Sequence, residues 1–142
     1  MNRQLYEKKK KLQKTRNILK NISGVEIHSI KEISSDGLVD KDVYRNKIIP
    51  DSKICFTEDI SIIVNWIENN TPFQEGDDFG FIVNCCYVNA KIVDIKEAFS
   101  SIWMAEEYEG VLFLSNDLKT MYEFGSDSRD EYHYLFDKYD LK

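Results

Sequence analysis

The stretch that decides the fold is FGFIVNCCYV, residues 79–88, a nearly continuous run of apolar side chains. Such a run is typical of a strand that is buried on both of its faces. It follows the acidic, turn-prone segment at residues 74–78, which marks where the strand begins. We therefore predict one central strand over residues 79–88.

Two other regions of the sequence also predict strands. The segments GVLFLS (residues 110–115) and KTMYEF (residues 119–124) flank a short polar turn, which is the pattern of an antiparallel hairpin. Residues 25–33 alternate apolar and polar side chains with one phase slip after Ile27, and they predict a short edge strand. The predicted sheet is small and mainly antiparallel.

Helices are predicted where apolar residues recur at spacings of three and four. The four predicted ranges are 4–22, 57–69, 95–105 and 128–139. Residues 36–52 are predicted to form a long polar loop that holds at most one strand. The expected fold is an α/β or α+β single domain over residues 1–142, in which about four helices cover the sheet.

The composition of the chain limits its class. Its 142 residues, with 42% hydrophobic and 31% charged side chains and six scattered glycines, exclude tandem domains, a collagen-like repeat and a wholly disordered chain. The net charge is −6, yet residues 1–20 alone hold eight basic residues and one acidic residue. The rest of the chain is acidic, and an acidic surface repels phosphate and attracts a basic partner. We therefore expect a protein partner rather than nucleic acid or a membrane.

Few residues in the sequence could carry catalysis or bind a metal. His28 and His133 lie far apart without further ligands at metal-binding spacing, and no glycine-rich phosphate loop occurs. Cys85 or Cys86 beside a histidine would form a nucleophile and a base, but a thiol in an apolar strand is ordinarily a core residue. We predict no metal, no cofactor and no enzymatic activity.

Cysteine usage and hydropathy predict the compartment. The three cysteines are odd in number and two of them are adjacent, which favours reduced thiols over a disulfide framework. No apolar stretch reaches the length of a signal peptide behind the basic start, or the roughly 20 residues of a membrane span. We expect a cytoplasmic protein.

Two helical segments have alternative interpretations. The lysine-rich N-terminal helix, within residues 1–22, is either a patch for nucleic acid or lipid, or a solvated face attracted to the acidic body. We favour the solvated face because no aromatic side chains interleave with the lysines. Ile62 and Trp66 lie off the main apolar face of the helix at 57–69. They are either buried between the sheet and the N-terminal helix, which we favour, or exposed as an anchor for a partner.

The candidate binding surface combines tyrosines with acidic side chains. If residues 128–139 are helical, a step of about 100° per residue places Tyr134 on the outer side, beside Asp130 and Asp137. The same association recurs in Glu106, Glu107, Tyr108 and Glu109. Tyrosine supplies contact area, and carboxylates select and attract a basic partner. The alternative is an acidic, solubilising surface whose tyrosines are incidental.

The chain resembles a group of small bacterial proteins in its small size, its acidic body, its cysteine usage and the stretch from Glu107 to Ser115 (EYEGVLFLS) and on to Met121–Phe124 (MYEF). These are the proteins encoded beside polymorphic toxin genes in Bacillus and its relatives, in particular the YxiF-like group found downstream of wall-associated WapA-type toxins. The resemblance rests mainly on residues 79–142 and on this overall character. The resemblance implies immunity, in which a cytosolic protein binds a toxin domain and blocks its active site. Many such toxins are nucleases with basic clefts, which an acidic inhibitor occupies in place of the nucleic acid.

The expected function is therefore that of an immunity protein that inhibits a basic toxin domain. One alternative is a regulatory or scaffold module that binds through the basic N-terminal helix or through the face with Ile62 and Trp66. A further alternative, which we consider weaker, is an enzyme that uses carboxylates or Cys85.

Overall fold

A seven-stranded, fully antiparallel sheet lies at the centre of the computed structural model, which describes residues 2–33, 38–105 and 110–141. In chain order the strands are β1 (Val25–Glu32), β2 (Ser52–Cys55), β3 (Asp78–Val83), β4 (Cys86–Ile92), β5 (Gly110–Ser115), β6 (Thr120–Gly125) and β7 (His133–Asp140). Across the sheet their order is β1, β4, β3, β5, β6, β7, β2. The short strand β2 thus forms one edge of the sheet, and β1 forms the other.

The described residues also form four helices, α1 (Arg3–Leu19), α2 (Lys41–Arg45), α3 (Ile60–Asn70) and α4 (Ile95–Ala105). The amide of Ser61 donates to the Asp59 carboxylate at the start of α3, and the amide of Glu97 donates to Asp94 at 3.1 Å at the start of α4. Such bonds satisfy amides that have no partner within the helix. None of the described helices is both long and apolar enough to cross a bilayer.

One face of the sheet, the first face, carries the main core. Because alternate residues of a strand point to opposite faces, β3 places Phe79 and Phe81 here, and β5 and β6 add Phe113 and Phe124. Helices α3 and α4 cover these rings, with the Trp66 and Phe124 ring centroids 5.1 Å apart and those of Phe99 and Phe113 also 5.1 Å apart. The C-terminal half of α1 joins the same core through Leu19.

The opposite, second face carries a smaller cluster of buried residues, Val39, Leu114, Met121 and Tyr139. Among the described residues, the segment 38–46 that contains α2 covers this cluster. Tyr44 of α2 stacks on Tyr139 of β7, with ring centroids 5.3 Å apart. The described residues therefore cover only part of the second face.

The structure confirms the predicted fold class as α+β, with a mainly antiparallel sheet and helices on it. The hairpin at 110–124, the helix at 95–105 and the edge strand at the start of the sheet are also confirmed. The phase slip after Ile27 is a register shift between Ile27 and Ser29 in the pairing of β1 with β4. Helix α1 ends at Leu19, three residues before the predicted end.

The single strand predicted over residues 79–88 is wrong, because the chain reverses within it. Asn84 and Cys85 have φ values of +50° and +58°, and together they form a two-residue turn between β3 and β4. Two left-handed residues match the twist of the flanking strands, and Asn tolerates this conformation well. The apolar run hides the turn because both strands are central and each has a buried face.

The helix predicted over residues 128–139 is also wrong, since residues 133–140 form strand β7. This strand has Tyr134 and Phe136 on the first face and Leu135 and Tyr139 on the second. Because β7 carries apolar side chains on both of its faces, the apolar positions 135, 136 and 139 also match the spacing of a helix. Of the loop predicted over residues 36–52, the described part, residues 38–52, likewise differs from the prediction, since α2 lies within it and begins at the Asp40 cap.

Candidate functional site

The structure separates the acidic and aromatic residues that the sequence grouped into one binding surface. Tyr134 lies on the first face at 4% exposure, where its ring contacts those of Phe56 and Trp103 at 4.7 and 5.1 Å. Asp137 is 1% exposed and lies on the second face. The prediction that both face water is therefore wrong, since both side chains are buried. They also point to opposite faces of the sheet, because they are separated by an odd number of residues in one strand.

The other predicted binding residues fall into two groups. Asp130 lies in the turn before β7, where its carboxylate accepts from the amide of Tyr132 at 2.8 Å and contacts His133 Nδ1 at 3.0 Å. Residues 106–109, the acidic segment Glu106, Glu107, Tyr108 and Glu109, lie outside the described residues. Their role in binding stays a prediction.

Ile62 and Trp66 of α3 have different environments. Trp66 is 6% exposed, and its indole nitrogen donates to the Ser52 hydroxyl at 2.9 Å. Its predicted burial is confirmed, and the alternative of a Trp66 anchor on the surface is wrong. Ile62 is 48% exposed, so its predicted burial is wrong.

An open groove of about 330 Å³ lies on the second face of the sheet. Apolar side chains of three strands, Ile82, Leu112 and Leu135, line it. Its polar lining includes Tyr44 from α2, Glu123 from β6, Asp127 from the following turn and Asp137 from β7. Glu123 pairs with Leu112 on one side and with Asp137 on the other. These three side chains therefore lie in one row across β5, β6 and β7.

Arg129 binds two of the carboxylates of this acidic groove. Its guanidinium donates to Asp137 through both terminal nitrogens, with Nη1 3.2 Å from Oδ1 and Nη2 in a close contact with Oδ2. Nε and Nη2 also donate to Asp127, at 3.0 and 2.7 Å, and Nη1 donates to the Lys47 carbonyl at 3.1 Å. The hydrogen bonds from Arg129 lower the pKa of Asp127. A buried carboxylate such as Asp137 needs a partner of this kind.

Glu123 has a different partner, the phenol of Tyr44. The Tyr44 hydroxyl lies 3.1 Å from both carboxylate oxygens of Glu123 and donates to them. Burial, followed by the negative charges of Asp137 and Asp127, raises the pKa of Glu123. Burial and the Glu123 charge raise the pKa of Tyr44 to about 12, so the phenol keeps its proton and remains a donor. Burial and nearby carboxylates, Asp137 first among them, raise the pKa of Tyr139 as well.

Among the described residues, the acidic groove therefore holds three carboxylates, Glu123, Asp127 and Asp137, against the guanidinium of Arg129. An added cation would contact the Glu123 carboxylate, which is half-buried and accepts a hydrogen bond from the neutral phenol of Tyr44. Guanidinium and ammonium groups suit such a position, because the carboxylate binds them through charge-assisted hydrogen bonds.

Exposed apolar side chains flank the acidic groove on the α2 side. Val43 and Tyr44 of α2 are about half exposed, and Ile48 and Ile49 are 76% and 79% exposed. The carbonyl of Lys47, in the same segment, contacts Arg129. An apolar patch beside a charged, concave site is common at protein interfaces.

The basic residues of α1 lie on the surface. Residues 2–10 are all exposed, and Arg3 pairs with Glu7 within the helix. Lys11 pairs with Glu32 of β1 at 3.3 Å and attaches the helix to the sheet, while the buried hydroxyl of Thr15 donates to the Lys11 carbonyl. The lysine face therefore points away from the core.

No protein-family model matches the chain, and neither the curated proteins nor the solved structures contain a match. The function is therefore inferred from the acidic groove itself. Sequence reasoning missed its central residues, Tyr44, Glu123 and Arg129, because they come from three separate segments. Two signals were present in the sequence, namely one charged residue inside the apolar strand MYEF and a single basic residue within the acidic segment 123–131.

Proposed function

We propose that this chain is an immunity protein that binds a basic toxin domain through the acidic groove and inhibits it stoichiometrically. The observation that carries the proposal is the excess of carboxylate over cation in a concave, partly apolar site. The resemblance to proteins encoded beside toxin genes, which rests mainly on residues 79–142 and on the overall character of the chain, supports the same function.

The binding step is the insertion of an arginine or lysine of the toxin next to Glu123. A positive charge next to Glu123 favours its ionised form. Burial raises the pKa of Glu123 in the free protein, so binding of the cation at a pH below that raised pKa is coupled to the release of a proton. The affinity should therefore rise with pH through the range in which Glu123 ionises, and become constant above it.

The exposed side chains of segment 43–49 complete the surface. Val43, Ile48 and Ile49 supply apolar area beside the cation site, as residues around a charged anchor do in many complexes. The net charge of −6 accelerates encounter with a basic domain by long-range attraction. A toxin that binds nucleic acid uses its basic residues for phosphate, so their capture here would block the substrate.

Co-expression with the toxic C-terminal domain from an adjacent gene tests this function. We expect growth rescue by the wild-type protein and recovery of a one-to-one complex. Glu123→Gln should weaken the complex by at least about tenfold. The matched control is Glu26→Gln, which makes the same change at an exposed site on the opposite sheet edge and should leave affinity unchanged. A folded protein that neither rescues growth nor binds the neighbouring toxin domains would exclude the proposal.

A second candidate function is a regulatory or scaffold module that binds through α1. The exposed lysines at residues 8–10 favour it, because they form no part of the core. Replacing these three lysines with alanine leaves the buried residues Thr15 and Leu19 in place. Loss of function in this variant, with Glu123→Gln fully active, would favour the scaffold module over the immunity protein.

A further inference from the structure

Cys55, His133 and Asp130 contact one another in series at the edge of the sheet, outside the acidic groove. Cys55 Sγ lies 3.6 Å from Nε2 of His133, and Nδ1 of the same ring lies 3.0 Å from Oδ1 of Asp130. The thiol is exposed, the imidazole is about one-quarter exposed and the carboxylate about one-fifth. A thiol, an imidazole and a carboxylate in this order are the components of an activated nucleophile.

The strand pairing holds the thiol against the ring. Cys55 is the last residue of β2 and pairs with His133, the first residue of β7. The amide of Phe56 donates to the Tyr132 carbonyl at 3.0 Å, so Cys55 and His133 form the adjacent pair without mutual backbone hydrogen bonds. Side chains of such pairs approach each other most closely. The short sulfur-to-nitrogen distance thus follows from the register.

Asp130 determines which nitrogen of the His133 imidazole carries the proton. The Tyr132 amide and the contact with His133 lower the pKa of Asp130, so its carboxylate stays ionised. An ionised carboxylate beside Nδ1 requires the proton of a neutral ring to lie on Nδ1. Nε2 is then left as an acceptor that points at the thiol. Lys53 is the other charged group at this site, with Nζ 3.8 Å from Oδ2 of Asp130.

We propose that Cys55 is a reactive thiol that exchanges with low-molecular-weight disulfides, with His133 as its base and Asp130 as the residue that positions His133. The Cys55 proton moves to Nε2, and the thiolate attacks one sulfur of the disulfide. A new bond forms between Sγ and that sulfur while the original sulfur–sulfur bond breaks. The leaving thiolate takes the proton from His133 and departs as a free thiol. Cys55 is thereby oxidised to a mixed disulfide, and the other half of the reagent is reduced.

The other two cysteines provide internal controls. Cys85 is exposed in the β3–β4 turn, whereas Cys86 is fully buried and accepts a hydrogen bond from Thr15 at 3.3 Å. The two histidines of the chain are engaged elsewhere, since His133 contacts Cys55 and His28 contacts Asp78 at 2.9 Å. Cys85 therefore reports how an exposed thiol of this chain reacts without an imidazole partner.

The test measures the rate of reaction with dithiodipyridine, a small neutral disulfide whose released thione absorbs light. Cys85→Ser leaves Cys55 as the exposed thiol, and Cys55→Ser leaves Cys85. At about pH 7 we expect Cys55 to react on the order of tenfold faster than Cys85, because Nε2 of His133 is placed to take the proton of the Cys55 thiol. The rate of Cys55 should also extend to lower pH than that of Cys85. Mass spectrometry after incubation with oxidised glutathione should locate one adduct on Cys55.

Three variants in the Cys85→Ser background assign the roles. His133→Gln should reduce the rate of Cys55 to that of Cys85 and abolish its reactivity at lower pH. Asp130→Asn should give an intermediate rate, because the His133 imidazole remains but no carboxylate holds its proton on Nδ1. Lys53→Gln should change the rate little. Equal rates for Cys55 and Cys85 at every pH would overturn the proposal. A folded His133→Gln protein whose Cys55 reacts at the full rate would also overturn it.

Discussion

On the first face of the sheet, Phe79, Phe81 and Phe113 have no exposed surface and pack under α3 and α4. On the second face, the same strands place Ile82 and Leu112 beside the acidic groove, where both remain partly exposed. The polar groups differ too, since Asp137, Glu123 and Arg129 all lie on the second side. The first face therefore supplies most of the hydrophobic stabilisation, and the second face keeps the charge and open area that the proposed partner would use.

The largest expected effect is on the first face. Phe113→Ala removes a fully buried ring whose centroid lies 5.1 Å from Phe99 and 5.9 Å from Phe79. Since it leaves a cavity in the centre of the core, the free energy of unfolding should fall by about 3–5 kcal/mol. Urea denaturation measures this change. Leu112→Ala, one residue earlier on the opposite face, is the matched control. An equal loss for Leu112→Ala would contradict the difference between the faces.

The next effect breaks the ion pairs of the second face. Arg129→Met leaves the Asp137 carboxylate buried without its guanidinium, so unfolding should become easier by about 2–4 kcal/mol. The range is below that of a fully buried pair because the Arg129 side chain is one-fifth exposed. Thermal or urea denaturation at about pH 7 checks the value. Adding Asp137→Asn to Arg129→Met should recover most of the lost stability, and failure to recover it would show that Arg129 acts through packing instead.

A smaller effect, of opposite sign, is expected for Glu123→Gln. Burial raises the pKa of Glu123 in the folded protein above its unfolded value, so the unfolded chain binds fewer protons and stability falls as pH rises through this range. Glutamine removes that cost and still accepts a hydrogen bond from Tyr44. The variant should therefore be more stable than the wild type near neutral pH and equally stable in acid. Denaturation at several pH values tests this, with Glu26→Gln as the control; a loss of stability at neutral pH would contradict it.

The same variant should weaken partner binding, so stability and binding would change in opposite directions at Glu123. A group that costs stability in the free protein and gains a partner in the complex is common at functional sites. By contrast, Phe113 should affect stability and binding together, since its loss acts through the fold.

How far the sequence predicted the fold depended on whether an element had one buried face or two. Helix α4 and the β5–β6 hairpin have one clear pattern each, and both were predicted within one residue of their bounds. Strand β7 has apolar side chains on both faces, so Leu135, Phe136 and Tyr139, together with Tyr132 just before the strand, also fit helical spacing. The mistaken period then placed Tyr134 and Asp137 on a common exposed face, although the strand sends them to opposite faces.

The acidic groove could not be predicted in the same way, because its residues meet only through the strand order. Glu123 and Asp137 are neighbours since β6 pairs with β7, and Tyr44 reaches them from α2. The thiol site depends on the same kind of information, because Cys55 meets His133 through the pairing of β2 with β7. The spacing of these residues along the sequence does not indicate that β6 or β2 pairs with β7.

The smallest expected effect concerns Ile62, which lies outside both faces of the sheet. Its side chain is 48% exposed on α3, whereas Trp66, one turn later, is buried against Phe124 and bonded to Ser52. Ile62→Ala should change the free energy of unfolding by no more than about 0.5 kcal/mol, because little apolar area leaves the core and alanine favours a helix. Partner affinity should not change, since α3 lies on the first face and the acidic groove on the second. Denaturation and titration with the toxin domain measure both quantities. A clear loss of affinity with unchanged stability would move the interface to α3 and leave the acidic groove without its proposed role.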